Sequence, residues 1–353
     1  MKTIRHRSQA GLSLIELLVS LAIGSFLIIG AITMQSQTRK TFDVNEAQAR
    51  LQDSGRFVLS VFEPDLQLAG LYGYSQDPGA VTWNNAGSIT TSNKLRPTAT
   101  AVSGLGSGLT ACGANFAVDV LGVVTVSNGT YPFTGGCSAQ GGGAIAGTDV
   151  LTMRHSGTQS VTADASKLQL YSDRLAAQMN TQMFISNTAP EVPKAGEREV
   201  RDMVIMAYYV AKDADGHPGT PALRAKILTS VGGAPTFVDQ EIIRGVEDLQ
   251  VQFGVDPGDD LNNDGVPDDP GGDGMADFVN GYASMYVNAD NAILSSAQVV
   301  AVRVWVRMRA DQPEMGFVDG RRYQYADTDF TPNDNYRRVV MSRTIYLRNS
   351  RQQ

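Results

Sequence analysis

One segment limits what this chain can become. Residues 12–32 read LSLIELLVSLAIGSFLIIGAI, an apolar run of 21 residues with a single charge, Glu16. As a helix rising about 1.5 Å per residue it spans roughly 30 Å, the depth of a bilayer's hydrocarbon core. Lys2, Arg5 and Arg7 precede it, with no acid among the first 15 residues. That basic flank should stay cytoplasmic and the rest of the chain should be exported. No second run of this length follows, so a polytopic membrane protein is excluded. A cleaved secretory signal fits badly, because its apolar core is normally shorter and a small-x-small site should follow. A plain signal anchor leaves Glu16 unexplained. A carboxylate in an apolar helix costs a few kcal/mol to insert, and nothing in the segment neutralises it, so its partner should lie outside this helix.

The residues around Glu16 form one pattern. Gly11-Leu12-Ser13-Leu14-Ile15-Glu16-Leu17-Leu18-Val19 follows a short basic leader. It resembles the type IV prepilin signal, with Leu12 in place of the commoner Phe. The resemblance implies that prepilin peptidase cuts between Gly11 and Leu12 and N-methylates Leu12. It also implies that Glu16 meets the new N-terminal amine of a neighbouring subunit, since a buried carboxylate seeks a cation. Gly24 and Gly30 either soften the helix where subunits pack or are ordinary membrane-helix glycines.

No Pro or Gly-rich break separates the apolar run from residues 33–62. Ala47, Leu51, Val58 and Phe62 fall near one face with Phe57 and Val61 beside it, the pattern of an amphipathic helix. One helix from Leu12 to about Phe62 would be roughly 75 Å long, and Pro64 should end or kink it. Residues 49–74 resemble the matching stretch of type IV pilus minor pilins of the PilW type. So, more loosely, does the region 245–348, opening on Gly245-Val246-Glu247-Asp248-Leu249-Gln250-Val251-Gln252-Phe253-Gly254. The expected fold is α+β and pilin-like, a long N-terminal helix packed on an antiparallel β-sheet head. The expected divisions are a leader (1–11), a transmembrane half-helix (12–32), an amphipathic half-helix (33–70) and a β-rich head (71–353).

Within the head, residues 75–148 are rich in Gly, Ser, Thr, Ala and Asn and read as short strands and loops, with Ala117–Val126 as one strand. Further strands are expected at Val150–His155, Met203–Lys212, Leu223–Thr229, Leu249–Val255, Val299–Arg309 and Arg337–Arg348, paired antiparallel in one sheet. In Val299–Arg309 the alternation points Val300, Val302, Val304, Val306 and Met308 one way and Arg303, Trp305, Arg307 and Arg309 the other. Cys112 and Cys137, the chain's two cysteines, should form a disulfide in an oxidising periplasm. Their spacing supports neither a zinc nor a redox motif.

Two charged stretches invite binding hypotheses. Asp256–Asp277 holds eight Asp and no Lys or Arg. Inside it Asp260, Asn262, Asp264, Val266 (through its carbonyl) and Asp268 have the spacing of a calcium loop, with Gly265 at the turn. Gly271 stands where the closing bidentate Glu belongs, so Ca2+ and an ion-free solvated hairpin both remain open, and no cofactor is required. Arg303–Arg351 carries ten Arg against six acids. A solvated strand face or an acidic neighbour explains this surplus better than nucleic acid does, for the whole chain carries a net charge of −7.

No enzyme is expected. His155 and His217 lie near no nucleophile motif, and Gly104-Leu105-Gly106-Ser107-Gly108 lacks the following Lys of a phosphate loop. The resemblance implies a minor pilin that supports pilus assembly at fibre initiation and the tip, adhesion and twitching motility by non-covalent packing. Its partners would be prepilin peptidase, other minor pilins, the major pilin, the inner-membrane assembly platform and a tip adhesin. It would reside in the inner membrane with a periplasmic head before joining the fibre. The alternative is a minor pseudopilin of a type II secretion system, which shares the signal and the architecture.

Overall fold

The structure is a computed structural model that describes residues 13–75, 78–84, 104–175, 178–189, 197–259 and 279–349. The chain divides into two compact units, Met1–Arg50 and Leu51–Gln353. Helix α1 runs over Leu14–Leu68. In its first unit the hydroxyls bond back to the helix's own carbonyls: Ser20 Oγ donates to the Glu16 carbonyl (2.7 Å), Ser25 to Ala22 (2.9 Å) and Thr33 to Gly30 (2.8 Å). Such bonds let a polar residue sit in an apolar helix with no donor left over.

In the second unit α1 buries Leu51, Gly55, Val58, Leu59, Phe62 and Leu66, a helical stripe three and four residues apart. Of the two outcomes expected at Pro64, an end to the helix is excluded, for α1 continues to Leu68. Pro64 and Ser60, whose carbonyl loses its helical partner to the proline, both lie on the exposed face, where water can take over. Phe57 does not join the packed face but is 50% exposed. Gly55 was missed. A Cβ there would stand 2.5 Å from Met341 Sδ, so only glycine lets the helix approach that side chain. Gly70, at φ +79°, stops the helix one residue past Ala69.

The strands are β1 (Val81–Asn84), β2 (Val124–Ser127), β3 (Val150–Ser156), β4 (Gln169–Leu175), β5 (Gln178–Phe184), β6 (Glu197–Ala211), β7 (Ala222–Val231), β8 (Ala234–Arg244), β9 (Val246–Asp256), β10 (Met285–Asn288), β11 (Gln298–Arg309), β12 (Tyr323–Tyr325), β13 (Thr328–Phe330) and β14 (Arg338–Tyr346), with a one-turn helix α2 at Ser107–Thr110. They form two principal sheets rather than the single one expected. The larger contains β1 to β8; the smaller runs β10-β9-β11-β14, and β12–β13 is a separate hairpin. Every pairing is antiparallel except β1 with β5. The 15-residue β6 is the spine of the larger sheet. Its first part pairs with β4 and its later part with β3 and β7.

The larger sheet is buried on both faces, which is why β3 is buried at all seven positions. On one face Leu151, Met153, Tyr208, Val210 and Leu223 pack with the α1 stripe and with Val251, Phe253, Val302, Val304 and Val306 of the smaller sheet. Phe62 sets its ring edge-on to Tyr208, centroids 4.9 Å apart. On the other face Ile205, Ala207 and Tyr209 are covered by Leu109, Val118, Val120, Phe133 and the two cysteines. Of the expected Ala117–Val126 strand only Val124 onward is extended. Ala117, Val118 and Val120 instead plug this second core from turns. An apolar run alone does not separate a strand from a buried irregular segment.

Candidate functional site: the apolar helix and the charged clamps of the head

The first half of α1 presents its apolar side chains to the outside. Leu14 is 79% exposed, Phe26 80% and Met34 72%. An 18-residue window has mean hydropathy 2.4, so the helix is long and apolar enough to cross a membrane. A Cβ at Gly24 or Gly30 would touch nothing within 4 Å, so packing inside the chain does not account for either glycine. Ser13 caps the helix. Its Oγ accepts from the Glu16 backbone N–H at 3.2 Å, in the S-x-x-E order of a capping box. Glu16 itself is exposed and makes no ion pair among the described residues. The capping pattern is a second local reason for a Glu at this position that the sequence reading overlooked. Gly11 and Leu12 lie outside the described residues.

The last turns of α1 carry two acids that reach different sheets. Glu63 accepts from Arg343 of β14 at 2.7 Å. Asp65 faces His155 Nε2 of β3 at 3.3 Å, while His155 Nδ1 lies 2.9 Å from the Ser156 carbonyl. His155 is thus a buried fastener of the helix end. The Asn349 side-chain amide donates to the Ala69 carbonyl at 3.2 Å and helps close that end.

Cys112 and Cys137 form a disulfide with Cα atoms 4.8 Å apart. Tyr131 Oη donates to the Cys137 carbonyl at 2.6 Å, and Phe116 stacks edge-on against Phe133 beside it. The crosslink therefore ties together the irregular layer over the larger sheet. Gly108, from the glycine-rich stretch, packs where a Cβ would collide with the Pro235 carbonyl and Thr236. Close approach to the β7–β8 turn explains that glycine without any ligand.

The proposed calcium ligands Asp260, Asn262, Asp264, Val266 and Asp268 lie outside the described residues. The base of their loop is described. Asp256 is buried, and its carboxylate accepts from the N–H groups of Gly258 (3.1 Å), Asn280 (2.7 Å) and Gly281 (2.6 Å). It closes the two stems with its lone pairs and is committed to backbone. Among the described residues no group of three His, Cys, Asp or Glu could hold a metal.

Part of the arginine surplus of the C-terminal region is turned inward, while Arg321, Arg322 and Arg348 stay exposed. Arg307, expected on a solvated face, is 6% exposed. Its Nε donates to Glu247 at 3.0 Å and its Nη1 to Tyr325 Oη at 2.7 Å. Arg338 is bidentate to Glu247 (2.6 and 2.9 Å) and to Asp334 (2.6 and 2.7 Å). Arg337 pairs with Glu314, Arg321 with Asp319 and Arg322 with Asp329. Burial pushes the Glu247 carboxyl up, but the hydrogen bonds and charges of Arg338, then of Arg307, outweigh it and hold the group below its ordinary value. Glu247 is the hub that sequence reasoning missed. The available signal was two adjacent acids, Glu247-Asp248, inside a strand that must bury at least one of them.

A second carboxylate joins the sheets. Asp149, ahead of β3, is 2% exposed and accepts from the N–H groups of Gly129 (2.9 Å) and Val251 of β9 (2.8 Å). Burial raises its carboxyl to about 7; the two N–H bonds pull it back, and the charges of Asp327 and Asp248 push it further up.

Two family models match the chain. Type IV Pilus-assembly protein W matches residues 207–349, covering the strands that carry Glu247, Arg307 and Arg338. The Prokaryotic N-terminal methylation motif matches residues 6–32. Among solved structures, a type IV-like pilin from Thermus thermophilus matches at 16% identity, over 52% of this chain and 85% of that one, with a TM-score of 0.21. No curated protein matches the chain.

Proposed function

We propose that this chain, a type IV pilus minor pilin of the PilW type by its methylation motif and its C-terminal head, acts by inserting its apolar half-helix among those of other pilins. The observation that carries this reading is the half-helix itself. Its side chains from Leu14 to Met34 find no cover in their own chain. Each fully buried Leu, Ile or Phe contributes roughly 1.5–3 kcal/mol when removed from water. The segment is therefore built first for lipid and then for a bundle of like helices.

In this reading prepilin peptidase cuts after Gly11 and methylates Leu12. Glu16 then meets the Leu12 amine of a neighbour, which exchanges an expensive lone carboxylate for an ion pair. The head stays rigid and contributes surfaces to fibre initiation, the tip complex, adhesion and twitching motility. Before assembly the chain sits in the inner membrane with its head in the periplasm. Its work is non-covalent, in keeping with a structural family.

The experiment is deletion of the gene, scoring surface pili and type II secreted enzymes together, with complementation by wild type and by Gly11→Val. Loss of pili with intact secretion, rescued by the wild type alone, is the expected result. Loss of secretion with intact pili would move the chain to the pseudopilins, and the match over residues 207–349 disfavours that outcome.

A further inference from the structure

We propose that the outer face of the smaller sheet binds a carboxylated sugar, a uronic-acid unit of an acidic polysaccharide, with Arg303 receiving the carboxylate. Register places the residues. Arg303 on β11 lies opposite Gln252 on β9 and Thr344 on β14, Gln252 lies opposite Asn288 on β10, and Trp305 follows one step along.

Arg303 differs from its neighbours. Arg307, Arg309, Arg321, Arg322, Arg337, Arg338 and Arg343 each have a carboxylate within 4 Å. Arg303 has none among the described residues. Its guanidinium lies 3.4 Å from the centroid of the Tyr286 ring, and its Nε donates to Thr344 Oγ1 at 3.2 Å. Gly254 makes this possible, because a Cβ there would stand 2.9 Å from Tyr286 Cε1 and displace the ring. Arg303 is thus a preorganised cation with no carboxylate within 4 Å among the described residues, held by one nitrogen and a ring, and a planar guanidinium suits a carboxylate.

What surrounds Arg303 selects the rest of the ligand. Trp305 is half-buried, stacks on Tyr325 (5.8 Å, 26°) and donates from Nε1 to Gln252 Oε1 at 3.2 Å. Gln252 Nε2 donates in turn to Asn288 Oδ1 at 3.1 Å. A fixed aromatic ring beside oriented amides and the hydroxyls of Ser342 and Thr344 suits a flat polyhydroxylated ring with an apolar C–H face. A phosphodiester polymer needs several closely spaced free cations for appreciable affinity, and among the described residues of strands β9, β10 and β11 this face offers Arg303. A lone acidic side chain of another protein would use Arg303 and leave the aromatic and amide row idle.

The test titrates the full chain, in neutral detergent micelles, with trigalacturonate and follows tryptophan emission. The chain has two tryptophans and Trp83 is 6% exposed, so quenching reports on Trp305. Saturable quenching is expected, weakened by about 0.5 M salt because the Debye length falls below ~5 Å. Arg303→Gln should weaken binding at least about tenfold, a loss of roughly 1.4 kcal/mol. Arg322→Gln, which alters the exposed β12–β13 hairpin, should bind like wild type. Unchanged circular dichroism and urea midpoint show that the variants are folded. The proposal is overturned if galactotriose quenches as well as trigalacturonate, if Arg303→Gln binds unchanged, if triglutamate or single-stranded DNA binds as tightly, or if no quenching appears. None of these results bears on the assembly reading, which rests on α1.

Discussion

The two halves of α1 are one helix with opposite uses of apolar residues. From Leu14 to Met34 nearly every apolar side chain is exposed. From Leu51 to Leu66 the buried apolar residues, which leave out Phe57, fall in a single stripe that joins one core with strands of the head. Charges divide the same way. Glu16 stands without an ion-pair partner among the described residues, whereas Glu63 reaches Arg343 and Asp65 faces His155. The first half leaves its apolar side chains exposed, and the second packs them into the core of the head.

That contrast can be broken by truncating the same residue type in each half. Phe62→Ala, at 0% exposure and against Tyr208, should cost the head about 3–5 kcal/mol in denaturant unfolding. Phe26→Ala, at 80% exposure, should leave the same transition within about 0.5 kcal/mol while reducing incorporation into fibres. An equal effect of the two on head unfolding would refute the division. Next in size is the disulfide. Replacing Cys112 and Cys137 together by Ala should cost about 3–4 kcal/mol for a closed loop of this length, measured by the shift in urea midpoint. Since the crosslink sits in the layer opposite α1, exposure of the α1 stripe by hydrogen exchange should change little.

The acid–base behaviour of the head sharpens the comparison further. Glu247 is held low in the folded state, so its stabilisation is present above the ordinary carboxylate range and is lost as pH falls through the folded value. Asp149 works in the other direction. Its folded value of about 7 lies above the ordinary 3.8, so the stability it contributes is full at low pH and declines as pH rises from about 4 through 7. Asp149→Asn should flatten the dependence of the urea midpoint between about pH 4 and 7, and Glu247→Gln should flatten it below about pH 4. Steep slopes that survive both changes would assign the titration to other groups. The smallest effect is expected from Ser13→Ala. Loss of the cap should cost about 1 kcal/mol of local helix stability, seen as faster amide exchange at residues 14–17, with no change in head unfolding.

Much of this architecture was legible because it rests on local pattern. The apolar run and the alternation Val302–Met308 each depend on spacing within a few residues, and the structure keeps both. The buried stripe of α1 was read in part: Leu51, Val58 and Phe62 by their period, but not Gly55, whose reason is a methionine 286 positions along the chain at Met341. The arginine-rich strand face was misread for the same cause. Nothing near Arg307 or Arg338 in sequence announces that Glu247, some 60 and 91 residues earlier, will meet both. Division into two sheets was hidden because β6 and β9 read alike. Which partner a strand takes depends on tertiary contacts rather than on its own residues.

Asp256 has a consequence for how this surface can change. By holding Gly258, Asn280 and Gly281 together it fixes the point where the chain leaves β9 and the point from which it returns to β10. Beyond that clamp each doubling of the intervening length costs only about 0.6 kcal/mol. The head can therefore tolerate insertions, deletions or an epitope tag between residues 260 and 278 without retuning its core. Variation in that sequence is expected to leave the strands that Asp256 joins as they are.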